Sequence, residues 1–417
     1  MRISLINPNL VAEDAIGQCL LNQARFLQRR GDEVRVFTVY PPEHMSEAIT
    51  AATRVITLAD LIERRDSHFA SSDVYVYHYP VWYPLLESIR GIDRGVVIFY
   101  YHNVTPPELW GSEFERESLQ RSVDSVGSVI HYADLVVTDS AFNADQLAEN
   151  YGCERDRIRV LPLAVPTDQF KPGPPDLNLV RQYGLEGRRV ILFVGRMAGN
   201  KRIDLLVEAL ALVRQEVPQA TLLLVGDERS NPAIVEAVSY ARQRAAALGV
   251  DDVIFTGRVA SVADHFRLAH VYATASVHEG FGVPLIEAMA SGVPVVASRA
   301  TAHPEVLGDA GLLAEPNNAA DMARHIVSVL TDDALCGDLV RRGLARAAEF
   351  SLERYEAGWA DVMAEAASWL PNQPYPRPRS ALVRSGEKPA ESGSRPAARL
   401  TPLELLRSET DQLEMAA

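Results

Sequence analysis

The feature that most constrains this chain is an alternation that stops and then restarts. Short apolar runs alternate with helical stretches as far as a cluster of prolines (Pro162, Pro166, Pro172, Pro174, Pro175, with Gly173 among them), and the pattern resumes beyond it. Proline lacks a backbone donor and disfavours helix in the residue before it, so the cluster reads as a linker. Before the linker the spacing predicts strands over 2–6, 33–39, 74–79, 96–101, 135–138 and 158–161, and helices over 18–30, 113–131 and 141–151. After it come strands over 189–194, 221–225, 253–256, 271–275, 295–297 and 312–314, with helices over 202–216 and 233–248. Helices over 319–330, 333–349 and 352–369 follow. Strands separated by helices need crossover connections and so form parallel sheets. The near-continuous apolar run Val190-Ile191-Leu192-Phe193-Val194 suits a strand buried on both faces. At 417 residues the chain exceeds one ordinary core. The expected fold class is α/β, with two doubly wound parallel-sheet domains over 1–165 and 166–350.

Charge and cysteine content exclude several classes. With 41 Lys and Arg against 55 Asp and Glu, the chain lacks the basic footprint of a nucleic-acid protein. Cys19, Cys153 and Cys336 are scattered and form no CxxC pair, so neither a disulfide framework nor a metal site is expected. No stretch is long and apolar enough to span a bilayer, and Met1 to Pro8 reads as a strand start rather than a signal peptide. A cytoplasmic protein, at most peripheral at the inner membrane face, fits best. Residues 371–417 turn rich in Pro, Ser, Arg and Gly and read as a disordered tail, with a short helix over 402–414 opened by Thr401-Pro402.

Two segments carry the chemistry. In His278-Glu279-Gly280-Phe281-Gly282-Val283-Pro284-Leu285-Ile286-Glu287, the glycines form a tight loop and Pro284 suits a first helical turn. Free amides at such a helix start make an anion site, and with Glu279 in the loop and Glu287 about one turn into the helix, the two carboxylates can address different parts of one ligand. Val194-Gly195-Arg196-Met197-Ala198-Gly199-Asn200-Lys201 follows a buried strand, where parallel sheets bind ligands. Gly195 lets the backbone approach, and Arg196 and Lys201 can neutralise a diphosphate.

These segments resemble the retaining glycosyltransferases of family 4 (group 1), which have the B-type fold of two Rossmann-like domains facing across a cleft. Glu279 and Glu287, with seven residues between them, match the family's glutamate pair, and Arg196 and Lys201 its diphosphate pair. Tyr100-Tyr101-His102-Asn103-Val104-Thr105-Pro106 resembles the segment bearing the family's active-site histidine. Thr138-Asp139-Ser140, residues 162–168 and Pro304-Glu305-Val306-Leu307-Gly308 resemble further family positions. The resemblance covers most of residues 1–369. It implies that Arg196 and Lys201 hold the donor diphosphate and that Glu287 binds the ribose. Glu279, with backbone at Phe281 and Gly282, would hold the transferred sugar, and backbone at Val283 and Leu285 would add phosphate contacts. Arg258 and Val259 would lie near the base, and His102 would face the sugar. The helix over 352–369 would return to the first domain. One departure stands out: the first loop reads Asn9 to Gly17 with a single glycine, and Ile16 replaces the first of the family's glycine pair. Gly17 remains to open the helix to phosphate.

The implied reaction moves a sugar from a nucleotide diphosphate sugar, GDP-mannose or a UDP-hexose, to a saccharide or lipid-linked saccharide, in polysaccharide or glycoconjugate biosynthesis. Protein cations would stabilise the leaving group, so no cofactor or metal is required. Because Glu279 is assigned to sugar hydroxyls, front-face attack is favoured over double displacement. A nucleotide-sugar epimerase, a phosphorylase and a non-catalytic partner of the same fold stay open as alternatives. A dinucleotide oxidoreductase is disfavoured, since neither first strand is followed by GxGxxG.

Overall fold

The computed structural model describes residues 1–11, 14–110 and 113–370. Ala12 and Glu13 of the first loop, and the tail over 371–417 with its expected helix, lie outside the described residues.

Seven parallel strands build the first sheet: β1 (Arg2–Ile6), β2 (Glu33–Thr38), β3 (Thr53–Val55), β4 (Val74–Tyr79), β5 (Val96–Tyr101), β6 (Leu135–Thr138) and β7 (Ile158–Val160), in the order β3-β2-β1-β4-β5-β6-β7. Six build the second: β8 (Arg189–Val194), β9 (Ala220–Val225), β10 (Val253–Gly257), β11 (Val271–Thr274), β12 (Val295–Ser298) and β13 (Gly311–Ala314), in the order β10-β9-β8-β11-β12-β13. Every expected strand is present, and its ends fall within one residue of the sequence reading. The α/β fold class with two doubly wound sheets is therefore the observed one. β3 and the short helices Glu47–Ala52, Leu58–Ile62 and Ser67–Ala70 were not expected; β3 has three residues, too few to show a period.

Strand order reverses beside β1 and beside β8. In the first sheet Ile3 pairs with Val34 on one side and Val74 on the other. In the second, Ile191 pairs with Leu222 and Val271. Loops leaving the strand ends at such a reversal diverge to opposite faces, and the crevice between them takes ligands.

The chain crosses between the domains near Val165 and again near Phe350, and the Val165 N–H donates to the Phe350 carbonyl at 3.0 Å. Helix Leu352–Trp369 follows the second crossing. Ser351 caps it by accepting the Arg354 N–H, and Tyr355, Trp359, Val362, Met363 and Ala366 form its buried stripe. That stripe lies on the first domain: the Trp359 ring meets Tyr100 edge-on at 5.6 Å, and the Tyr355 hydroxyl donates to the Cys19 carbonyl at 3.2 Å.

Candidate functional site

The carboxyl ends of the strands face a cleft of about 1360 Å³ lined by both domains. On the second-domain side, the loops after β8 and β11 are tied together. The Val277 N–H donates to the Asn200 carbonyl at 2.9 Å, and the Asn200 amide donates to the His278 carbonyl at 3.0 Å. Lys201 Nζ donates to Glu279 Oε1 at 2.5 Å, and the Glu279 N–H donates to Thr301 Oγ1 at 2.9 Å. Burial pushes the Glu279 carboxyl up, but Lys201 and His303 outweigh it and hold the group below its ordinary value. Arg196 is exposed at the same cleft wall, and among the described residues it has no ion pair or hydrogen bond.

Helix Val283–Ala290 starts here. Gly282, at φ +99°, turns the chain into it, Pro284 sits in its first turn, and no side chain caps it. Pro284 has no N–H and the Leu285 N–H donates to the Gly282 carbonyl at 3.0 Å, so the Val283 N–H is the amide left at the helix start, on the cleft wall that Arg196 and Lys201 also line. Phe281, Gly282, Val283 and Leu285 line the cleft; Glu287, Arg258 and Val259 lie outside its main volume. Glu287 is half-buried and, among the described residues, without a hydrogen-bond partner, and burial pushes its carboxyl up to about 8. Arg258 faces Asp227 at 3.6 Å.

On the first-domain side, His102 follows β5 and lines the cleft, yet neither ring nitrogen is free. Nδ1 lies 3.0 Å from Asp139 Oδ2, and Nε2 lies 2.9 Å from His78 Nδ1. The His78 Nε2 in turn lies 2.8 Å from Gln23 Oε1. Gly17 does not line the cleft. A Cβ there would lie 1.9 Å from the Val11 carbonyl oxygen, so only glycine allows the first loop to pack this closely. Asp14, Ala15 and Ile16 line the cleft instead.

One metal-capable cluster exists among the described residues where the sequence suggested none: Cys19 Sγ and ring nitrogens of His78 and His102 lie within 4.8 Å of one another. The packing satisfies these groups without an ion. Burial pushes the Cys19 thiol up to about 12, its sulfur contacts the Tyr355 and Tyr100 hydroxyls, and the two imidazoles already share a hydrogen bond.

The domains touch at the back of the cleft. Ser140 Oγ donates to the Gly280 carbonyl at 2.8 Å. The Glu305 carboxylate accepts the Ala141 and Phe142 N–H groups at 2.7 and 3.2 Å, capping helix Ala141–Tyr151 from the other domain. His278 meets Phe142 edge-on, and burial lowers its pKa to about 4, so it is neutral. Farther out, Tyr40, Val55 and Val81 are 63%, 53% and 38% exposed along the first-domain wall. Trp82 stands beside them with the Arg121 guanidinium 3.3 Å above its ring centroid. Sequence reasoning did not find this wall, because Tyr40 follows β2, Val55 ends β3 and Val81 and Trp82 follow β4, with no shared spacing. A signal for His78 was present: it is the one polar residue in the otherwise apolar and aromatic run of β4.

The family model described as Glycosyltransferase Family 4 matches residues 16–169, and that described as Glycosyl transferases group 1 matches residues 188–332. The chain is 31% identical over 292 residues to the O-antigen chain mannosyltransferase B of Escherichia coli, covering 67% of this chain and 71% of that one. It is 32% identical over 226 residues to mannosylfructose-phosphate synthase of Agrobacterium fabrum, covering 51% of this chain and 49% of that protein. Among solved structures, HepE of Anabaena in complex with UDP and glucose superposes with a TM-score of 0.73 at 20% identity, covering 88% of this chain and 100% of that one. The sucrose-phosphate synthase of Thermosynechococcus elongatus gives 0.71 at 20% identity, covering 88% and 99%.

Proposed function

Given that the chain belongs to the group 1 glycosyltransferases and has their B-type fold, we propose that it transfers a hexose from a nucleotide diphosphate sugar, with retention of configuration, to a saccharide or lipid-linked saccharide. The observation that carries this reading is the convergence of Arg196, Lys201 and the uncapped start of helix Val283–Ala290 on one stretch of cleft wall. The unpaired Arg196 and the helix start there, with Lys201 shared between the ligand and Glu279, suit the charge that develops on a departing nucleoside diphosphate, and they need no divalent metal to do so. Glu279, held ionised by Lys201, orients hydroxyls of the transferred sugar. Glu287 takes the ribose hydroxyls, and Arg258 and Val259 flank the base.

Glu279 is already committed to Lys201, which leaves front-face attack, with the leaving phosphate receiving the acceptor's proton. The acceptor enters along Tyr40, Val55, Val81 and Trp82, whose apolar and aromatic faces suit the C–H faces of a sugar. The names of the two curated relatives, a mannosyltransferase and a mannosylfructose-phosphate synthase, favour mannose as the sugar; the UDP in the Anabaena neighbour favours a uridine nucleotide. The epimerase and the non-catalytic partner find no separate support in the site.

A thermal-shift screen against UDP, GDP, ADP and dTDP tests the assignment. A ligand that binds only the folded chain at a hundred times its Kd stabilises it by about 2.7 kcal/mol. Selective stabilisation by UDP or GDP is expected and sets which donor sugars to assay for turnover. No shift with any of the four at millimolar concentration would overturn the reading.

A further inference from the structure

Four buried side chains from four elements of the first domain form one hydrogen-bonded chain. They are Gln23 on helix Ala15–Arg29, His78 in β4, His102 after β5 and Asp139 after β6, all under 9% exposed. We propose that His78 and Gln23 are positioning residues for His102, holding its ring and partnering its Nε2 in either charge state while Asp139 keeps the proton on Nδ1. The functional side of this rests on the transfer reading above; the proton arrangement does not.

The donor and acceptor inventory determines the arrangement. An ionised Asp139 can only accept, so His102 carries a proton on Nδ1. With His102 neutral, its Nε2 is a lone pair, so His78 Nδ1–H donates to it. The far nitrogen of His78 then accepts, and Gln23 must offer it an amide N–H. With one more proton on His102, every bond past Asp139 reverses. His102 Nε2–H donates to His78 Nδ1, and His78 Nε2–H donates to Gln23 Oε1. That last contact is the one observed, and it leaves Gln23 Nε2 without a partner, as found. In both states His78 is neutral, since burial and the neighbouring His102 push its pKa well below the ordinary value. A primary amide can present a donor or an acceptor at one place by half a turn, so Gln23 can match either charge state of His102.

The other groups around the chain leave this logic intact. Cys19 is held protonated by burial, and burial likewise raises the Tyr100 and Tyr355 hydroxyls. His78 stacks on His102 at 5.2 Å, Tyr100 packs tilted against it at 4.1 Å, and Trp359 meets Tyr100 edge-on at 5.6 Å. A ligand in the cleft therefore meets a ring whose nitrogens are both engaged. His102 acts through shape and charge and does not offer a bare lone pair that would activate water against the donor.

The test uses the full chain with histidine labelled by nitrogen-15, together with nucleotide release from UDP-glucose and GDP-mannose. Long-range proton–nitrogen spectra at pH 7.5 should show a proton on His102 Nδ1 and only one proton on His78. In H78A the His102 Nε2 shift should move as its partner is lost, while the proton stays on Nδ1 beside Asp139. Its kcat should fall at least tenfold, with the donor KM within threefold. H78N, whose amide nitrogen can stand where Nδ1 stood, should return to within threefold of the starting kcat. Q23L provides a second variant if H78A does not fold, and it should release the fixed tautomer of His78. A His102 protonated only on Nε2 overturns the proposal. So does an H78A variant with unchanged spectra and turnover, or an H78N variant as impaired as H78A at equal melting temperature. If neither donor is turned over by the unaltered chain, the transfer reading is what fails, and the spectra still decide the positioning claim.

Discussion

At the scale of single residues, Glu287 makes the sharpest prediction. Its carboxyl is raised to about 8 from an ordinary 4.5, so the folded chain holds this proton more tightly than the unfolded chain. The unliganded stability that Glu287 contributes is thus present below about 4.5 and lost as pH rises through about 8. Glu287→Gln should melt with the unaltered chain at pH 4 and above it at pH 8.5; equal melting at both would show the group is not strained. Ribose hydroxyls donating to the carboxylate favour its charged form, so nucleotide binding at pH 7 should release a proton, read by calorimetry in two buffers of different ionisation enthalpy. Arg196 is the complementary case. It is exposed and unpaired, so Arg196→Ala should leave the melting temperature unchanged. Nucleoside diphosphate affinity should weaken about tenfold or more, the worth of a charged hydrogen bond. Unaltered affinity would place the diphosphate elsewhere. Residues such as Arg196, Glu279 and Glu287 were legible in the sequence because the chemistry of each loop lies within one short segment. His78 and Asp139 were not assigned to the His102 network, because their partners are 24 and 37 positions away and only the sheet brings them together.

Elements show the same division between what is local and what is assembled. Apart from β3, the strands of both sheets were legible to a residue, most plainly the central ones, where burial on two faces demands an unbroken apolar run, and helix Val283–Ala290 was legible because glycine and proline punctuate its start. The cap on helix Ala141–Tyr151 was not, since its second acceptor, Glu305, lies 164 positions away in the other domain. Glu305→Ala should therefore do more than a local change would. Losing a cap costs about 1 kcal/mol, and here the loss also loosens the contact between the domains. Limited proteolysis should cut the linker faster in this variant, and a rate equal to that of the unaltered chain would make the cap purely local. Gly280 is the steric counterpart. A Cβ there would come within 2.6 Å of Asn103 Cβ and 2.8 Å of the His102 carbonyl, and backbone cannot yield as a flexible side chain can. Gly280→Ala should force the cleft apart, widening the molecule in small-angle scattering while both sheets stay folded. An unchanged scattering profile would mean that the loop itself moves instead.

For the whole molecule, the two crossings act as one device. Val165 and Phe350 are joined by a backbone hydrogen bond, so the linker and the return segment can only bend together. The Phe350 ring also meets Phe281 edge-on at 5.7 Å, and Phe281 lies in the loop that carries Glu279. Bending at the crossings is therefore mechanically connected to the wall proposed to hold the donor. Beyond Phe350, helix Leu352–Trp369 fastens the second crossing to the first domain through Tyr355 and Trp359, so this end of the hinge is anchored. Closure that excludes water protects a nucleotide sugar from hydrolysis, and such motions often set turnover. Replacing Phe350 by leucine keeps the site apolar but removes the aromatic contact to Phe281. Phe350→Leu should leave nucleoside diphosphate affinity within threefold, because Arg196, Lys201 and the helix start are untouched. Transfer to the acceptor should slow, and the fraction of donor lost to water should rise, because closure no longer tracks the donor loop. Measuring transfer and hydrolysis in the same reaction separates the two. A parallel fall in both, with their ratio unchanged, would show that Phe350 only supports the fold and that closure is governed elsewhere.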